Sequence, residues 1–585
     1  MTPTAETLEV RYLIVGAGPG GLQLAWFLDR AERDYLVVER ADHAGAFFDR
    51  FPRHRTLISI NKQHNWFPEP EFNERHDWNS LLSDDPTLRF TAYSEDLFPD
   101  ADALCGYLRD FAERTDLRIR YGTEVTSIER PDDRFLVRTA DGATIRAEVL
   151  VLATGASVER RPDIPGIEHT TSYGEHDTDV ERYRNKRVGI LGHGNSAFET
   201  ADHLAGAAAY VHLLGAGPLT MAWDSHFPGH LRAINNSVLD MFQLKSMHAV
   251  LSPRVVRIDR DGDVLRTTHE YDYPTGATPG TLTLTRDYDE IICCTGFDWL
   301  PAHLFADDLR PATWKEGKFP SLTPAWESVN VPGLYVAGGA MQGNDRRSAS
   351  GFIHGFRYNV RSLARILDER YEGVPYPGIE SGPFEWDPFA HDLFRRLSTS
   401  AGLFQLFGTL GDEITISEDR SRVVRREELP VALLELEDPG EDHRFVVTLE
   451  FGFHGYRDPA VTFLGPSDPT ATEHAAFLHP VVRYRRGDIR REFHLADSLL
   501  GRWDLPHATG GAVMPYHEAF RRWFLGCLGD EVPAPDADLD GAFRPWSDEE
   551  IEAWREAHPV AEDPRRSNPL ATGVDNARRR TQVAR

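Results

Sequence analysis

The chain has 585 residues, 41% apolar and 27% charged, with a formal net charge of −28. That length exceeds one hydrophobic core and predicts two or three domains with room to bury a large cofactor. The acidic balance argues against nucleic acid or an anionic membrane as partner, and no window approaches the run of about 18 apolar residues that a membrane helix needs.

Residues 11–40 read as strand, glycine turn, helix and strand: RYLIVGAGPGG, LQLAWFLDRA, then DYLVVER ending in Glu39. Gly16, Gly18 and Gly21 form the Gly-x-Gly-x-x-Gly turn of a dinucleotide site, with an acid where ribose hydroxyls need an acceptor. The segment 104–121 reads as an amphipathic helix feeding a strand, and VLVLATGAS (149–157) as a buried strand leaving through Ala153, Thr154 and Gly155. A second unit follows in KRVGILGHGNSAFETADHLAG and AYVHLLGAG. There Gly192 and Gly194 let the backbone approach a pyrophosphate through Asn195 and Ser196, and Ala197 stands in place of the third glycine.

DEIICCTGF (289–297) is another buried strand with a glycine exit, and NVPGLYVAGGA leads past Gly338 into the helix GFIHGFRYNVRSLARIL, whose glycine-led start can face a phosphate or flavin edge. Residues 376–388, rich in proline and acid, predict a linker. Beyond them RFVVTLEFGF, VVRYRRG and HEAFRRWFLGCLG predict a mixed α+β appendage. A capping box at Ser547 and Glu550 starts one further helix in a polar, partly disordered tail. Cys105, Cys293, Cys294 and Cys527 are too scattered for a disulfide framework or a zinc site, and the 24 histidines form no ligand cluster, so no metal is expected. MTPTAETLEVRYLIVG lacks the features of a signal peptide, which predicts a cytoplasmic protein.

Two nucleotide units, the second inserted between an Ala-Thr-Gly and a Thr-Gly strand, resemble the two-dinucleotide-binding-domain flavoproteins. The resemblance implies an α/β fold of two Rossmann-like domains plus the α+β appendage. FAD would sit in residues 1–170 and 295–375, NAD(P)H in 171–294, the appendage in 389–530 and the tail in 531–585. It implies FAD contacts from Glu39, Arg40, Phe48, Thr154 and Gly155 besides the glycines. AFFDRFPRHRTLISINK, FNERHDWNSLL, GNSAFETA, LRAINN, SASGFIHGFRY and FLHP are similar to the FAD-dependent oxidoreductase family that includes a vertebrate endoplasmic-reticulum flavoprotein associated with protein degradation. That similarity runs from about residue 10 to residue 528. The absence of a signal peptide and retention tail points to a soluble, bacterial-type member without the degradation role.

Asn61, roughly twenty residues after Glu39, resembles the flavin-proximal asparagine of the flavin-containing monooxygenases, where it would bond the flavin hydroperoxide or its ligand; a turn cap after LISI is the plain structural alternative. Their linker signature is not intact in HTTSYGEHDTDV, where His176 alone corresponds. No arginine for a 2′-phosphate and no acid for a 2′-hydroxyl follows AYVHLLGAG, so NADPH is favoured by family habit and NADH stays open. Arg50, Arg53, His54, Arg55 and Lys62 form a basic cluster that either holds an anionic substrate or neutralises nearby acids. His226, Arg232, Asn235 and Asn236 either line the substrate cleft or cap a loop. His354 and Arg357 face either the flavin or the helix surface.

The expected function is an FAD-dependent, NAD(P)H-using monooxygenase that oxygenates a small amine or thioether with O2 through a C4a-hydroperoxyflavin. An NAD(P)H reductase with a quinone, protein or other small acceptor, and a partner-binding flavoprotein with structural FAD, are the alternatives.

Overall fold

The computed structural model describes residues 7–531 except 66, 157, 218, 223–228, 236–238, 240–245, 274–279, 346, 439, 452–476, 496–497, 499 and 505–512. His226, Asn236 and the tail with its capping box lie outside the described residues.

The first unit is built on β1 (Thr7–Val15), α1 (Pro19–Arg30) and β2 (Tyr35–Val38). The chain continues through α2 (Ala101–Arg114), β3 (Ile119–Arg120), β4 (Val125–Glu129), β5 (Phe135–Thr139) and β6 (Thr144–Leu152). The second unit holds β7 (Thr171–Ser172), β8 (Arg187–Leu191), α3 (Asn195–Leu204), β9 (Tyr210–Leu214) and β10 (Ala249–Leu251). The strands β11 (Arg254–Asp261), β12 (Val264–Tyr273) and β13 (Gly280–Tyr288) precede β14 (Glu290–Cys293), and β15 (Leu334–Val336) and α4 (Ile353–Leu367) return the chain to the first unit.

The first sheet runs β3-β2-β1-β6-β5-β4, with β15 beside β6; the second runs β10-β9-β8-β14-β7 and is parallel throughout. Strands covered on both faces read as continuous apolar runs, and YLIV and VLVL are such runs. The hairpins β11-β12-β13 form a separate antiparallel sheet in a region without a glycine fingerprint. This is the fold of two Rossmann-like units in one α/β chain.

The appendage contains β16 (Gly378–Ser381), α5 (Trp386–Thr399), β17 (Leu410–Ile416), β18 (Val423–Pro430), β19 (His443–Phe451), β20 (Leu478–Arg486), β21 (Ile489–His494) and α6 (Val513–Cys527). Its antiparallel sheet runs β16-β18-β17-β19-β20-β21. The stretch expected as a linker therefore carries a strand, because Gly378–Ser381 pair with Arg426–Val423.

The appendage is welded to the first unit. Leu406, Leu410, Leu429 and Leu434 belong to the same buried cluster as α1 and α4. Fully buried Arg75 donates to the carbonyls of Leu397, Ser400 and Gly501, at 2.9, 3.0 and 2.8 Å. Arg361 of α4 pairs with buried Glu428, whose pKa that contact and other arginines hold down at about 2. No described helix is long and apolar enough to cross a membrane.

Candidate active site

The two glycine turns are near copies. Gly16 has φ +108° and Gly192 φ +112°, a region that favours glycine. A Cβ on Gly16 would lie 2.7 Å from the Ala153 carbonyl oxygen, and one on Gly192 2.3 Å from that of Cys294. Each turn is thus pinned under the exit of the neighbouring parallel strand, β6 or β14.

The helices that follow start without a side-chain cap, since Gly18 and Gly194 are their N-caps. Among the described residues their first-turn N–H groups have no side-chain acceptor, which is the donor set and dipole end a pyrophosphate requires. A Cβ on Gly18 or Gly155 would meet nothing within 4 Å, and one on Gly194 only the Gly229 carbonyl at 3.8 Å. On the first unit, Gly20 packs directly on Gly338 (φ +83°), where a Cβ on Gly20 would sit 2.5 Å from the Gly338 Cα. These residues fit an FAD on the first turn and a nicotinamide coenzyme on the second.

The units part company at the ribose end. Glu39 accepts from Ala17 N at 2.8 Å and from Ala41 N at 3.0 Å, so its carboxylate is fixed across the turn with lone pairs to spare. The register places Gly215 at the matching position after β9, and His193 matches Ala17. A Cβ on Gly215 would lie 2.4 Å from the His193 ring, whose buried Nδ1 has no partner; burial lowers its pKa. Arg40 is exposed, Phe48 is half-buried against the main core, and Thr154 flanks Gly155 at the β6 exit.

Asn61 is buried. Its Nδ2 donates to the Ser94 carbonyl at 2.7 Å and the Asp96 carbonyl at 3.4 Å, while Oδ1 has no partner. Lys62 beside it is exposed. The Asn61 backbone bridges to Asp77, and the 77–82 strap is held to α1 by Gln23, which exchanges bonds with Leu82 N and O. Arg357 is not on the helix surface, one of its two expected places: it is fully buried and donates to Ser80 O and Glu74 O.

Asn195 ties the second turn to the loop 230–235. It donates to His230 O at 2.8 Å and accepts from Arg232 N at 2.9 Å and from Asn235 Nδ2 at 3.0 Å. The Arg232 guanidinium crosses to the first unit and lies 4.8 Å from the ring centre of Phe352, the N-cap of α4. Phe352, His354 and Trp78 continue as a stack, with centroids 5.2 and 4.2 Å apart. Ser196 accepts from Thr200 through its carbonyl, and Ala197 is fully buried.

The basic segment 50–55 does not gather into one pocket. Arg50 donates to Gly174 O, Arg53 to His176 O at 2.8 Å, and Arg55 pairs with Asp102 at 2.5 Å. The segment is instead a contact between the units. Tyr173 receives the Arg53 N–H and donates to Glu199 of α3, and burial raises the Glu199 pKa to about 7. His54 and His176 lie alongside with rings tilted at 48°, their pKa values pushed by burial to about 3 and 4. Sequence reasoning missed Glu199, Gln23 and Trp78; an acid or amide inside the apolar stripe of each nucleotide helix was the available signal.

Comparison with known proteins agrees with the geometry. The pyridine nucleotide-disulphide oxidoreductase family matches residues 13–338. The FAD-dependent oxidoreductase domain-containing protein 2 of Mus musculus is 36% identical over 89% of this chain and 84% of its own length, and that of Danio rerio 33% over 90% and 85%. The indole-3-pyruvate monooxygenase YUCCA1 of Oryza sativa subsp. japonica is 25% identical over 42% of this chain and 59% of its own length.

Proposed function

The chain belongs to the FAD-binding pyridine nucleotide-disulphide oxidoreductase family, and on that premise we propose that it is an NAD(P)H-dependent monooxygenase acting on a small amine or thioether. The observation that carries this reading is Asn61, whose buried Oδ1 has no partner although its Nδ2 is fixed by two carbonyls. An orphaned buried acceptor costs about 1–3 kcal/mol and is tolerated where a ligand meets it. Bound FAD supplies the two-electron chemistry and the activation of oxygen.

The chain's own residues divide the remaining work. The N-termini of α1 and α3 bind the two pyrophosphates, and Glu39 accepts from the first ribose. Asn61 accepts a hydrogen bond from the coenzyme carboxamide or from a protonated group on the flavin. The Trp78, His354 and Phe352 stack excludes water, which an oxygen-activating site requires. The four cysteines are buried and unpaired, and burial pushes the Cys294 thiol well up, which disfavours disulfide exchange. Gly215 offers neither an acid to a 2′-hydroxyl nor an arginine to a 2′-phosphate, so both NADPH and NADH are donors to test.

The test follows aerobic coenzyme oxidation by the FAD-loaded chain and counts hydrogen peroxide against oxygenated amine or thioether. Asn61→Ala should divert turnover to peroxide. Coenzyme oxidation that needs an added quinone and ignores oxygen would replace the proposal with a reductase.

A further inference from the structure

The buried arginines of this protein each meet acids or main-chain carbonyls. Arg396 meets Asp412 and Glu428, Arg444 meets Glu413 and Glu437, Arg502 meets Asp504 and Glu69, and Arg75 and Arg357 each donate to main-chain carbonyls. Arg232, half-buried, has neither at its guanidinium among the described residues. Among the described residues it enters no ion pair, its Nε is buried without a partner, and its guanidinium meets the face of Phe352. Burial, with no acid opposing it, lowers its pKa to about 10. A cation desolvated against an aromatic face without a counter-charge is costly, and such positions mark binding sites.

Direction decides which anion it serves. The Arg232 backbone is held by Asn195 at the start of α3, where the coenzyme pyrophosphate belongs. Its side chain runs the other way, onto the N-cap of α4 in the first unit. An anion gripped there lies at the junction of the two units and against the Phe352, His354 and Trp78 wall. His354 is buried with Nδ1 unpartnered, and burial together with Arg357 and Arg232 holds its pKa well below the ordinary value. The imidazole is therefore neutral, adding a hydrogen-bonding atom beside the guanidinium and no second charge.

We propose that Arg232 anchors the carboxylate of an organic-acid substrate by a two-pronged guanidinium contact, with His354 and Phe352 forming the wall beside it. This rests on the monooxygenase reading for the rest of the substrate, and it replaces the segment 50–55 as the anion site.

The experiment uses the full-length, FAD-loaded, oxidised protein without coenzyme, so it stands even if the turnover products prove to be those of a reductase. Benzoate and phenylacetate, each beside its amide, are titrated while the flavin absorbance is followed, and ADP-ribose is titrated in parallel. The acids should bind in preference to the amides, Arg232→Met should weaken them about tenfold or more, and ADP-ribose affinity should stay within about twofold. Arg232→Lys should keep part of the preference, and it decides the matter if the methionine variant fails to retain FAD. Acids and amides binding alike, no acid perturbing the flavin, or ADP-ribose weakening in place of the acids would each overturn the assignment.

Discussion

The two nucleotide units share a turn and differ in what surrounds it. Gly16 under Ala153 and Gly192 under Cys294 are the same device, down to the positive φ and the Thr-Gly that follows each strand. In the first unit the turn is closed in: Glu39 spans it, Gly20 touches Gly338, and Gln23 of α1 is fully bonded by the 77–82 strap. In the second, Gly215 replaces the acid, and the residue matching Gln23 is Glu199, bonded by Tyr173. On the proposed reading one scaffold would serve a held cofactor and an exchanging one, and the difference between the units lies around the turn rather than in it.

The third position of the motif should break the likeness most strongly. A Cβ on Gly21 would fall 2.0 Å from the Gly16 carbonyl oxygen, a backbone atom, whereas Ala197 already occupies the equivalent place, fully buried. Gly21→Ala should cost at least about 3 kcal/mol and release FAD, read by denaturant titration and flavin absorbance. Ala197→Gly should leave FAD bound.

Glu199→Gln makes the second helix copy the first. A carboxyl whose folded pKa is raised holds its proton more tightly folded than unfolded. The stability it lends is full below the unfolded value near 4.5 and is lost as pH rises toward the folded value of about 7. The glutamine variant should therefore gain up to roughly 3 kcal/mol over wild type above pH 7 and lose the slope between, measured by urea unfolding at several pH values. An unchanged slope would place the titration elsewhere in the Tyr173, His54 and His176 contact.

Glu39→Ala removes two charge-assisted bonds from a turn whose counterpart at Gly215 does without them. We expect a loss of about 2 kcal/mol and weaker FAD retention, with coenzyme binding to the second unit unaffected.

Much of this contrast was legible in the sequence. Both turns, their strands, Glu39 and the absence of an acid after β9 are local features, because glycine spacing and apolar runs encode them within about 30 residues. What surrounds the turns was not. Arg53 and Arg55 read as a substrate cluster by adjacency, yet the chain sends one to His176 O and the other to Asp102. Arg232 and Phe352 are far apart in sequence and meet only across two domains. The β11-β12 hairpin carries a local signal, Gly262-Asp263 between paired Asp261 and Val264 with Gly262 at φ +60°, whereas the strand inside the expected linker is revealed by its pairing alone.

The mildest substitutions sharpen the comparison furthest. Gly18 and Gly194 are N-caps with φ −77° and −85°, which any residue adopts, and a Cβ on either meets open space or ordinary contact. Gly18→Ala and Gly194→Ala should each cost the nucleotide-free protein no more than about 1 kcal/mol, the N-cap preference for glycine over alanine, since neither strains the backbone nor displaces a neighbour. Their effects on ligands should separate completely. The first should lower FAD content while leaving coenzyme affinity in the FAD-loaded fraction intact, and the second should weaken coenzyme binding with FAD fully retained. If Gly194→Ala lost FAD as well, the two turns would be coupled through the contact between segment 50–55 and α3, and the division into a held and an exchanging site would have to be redrawn around that contact.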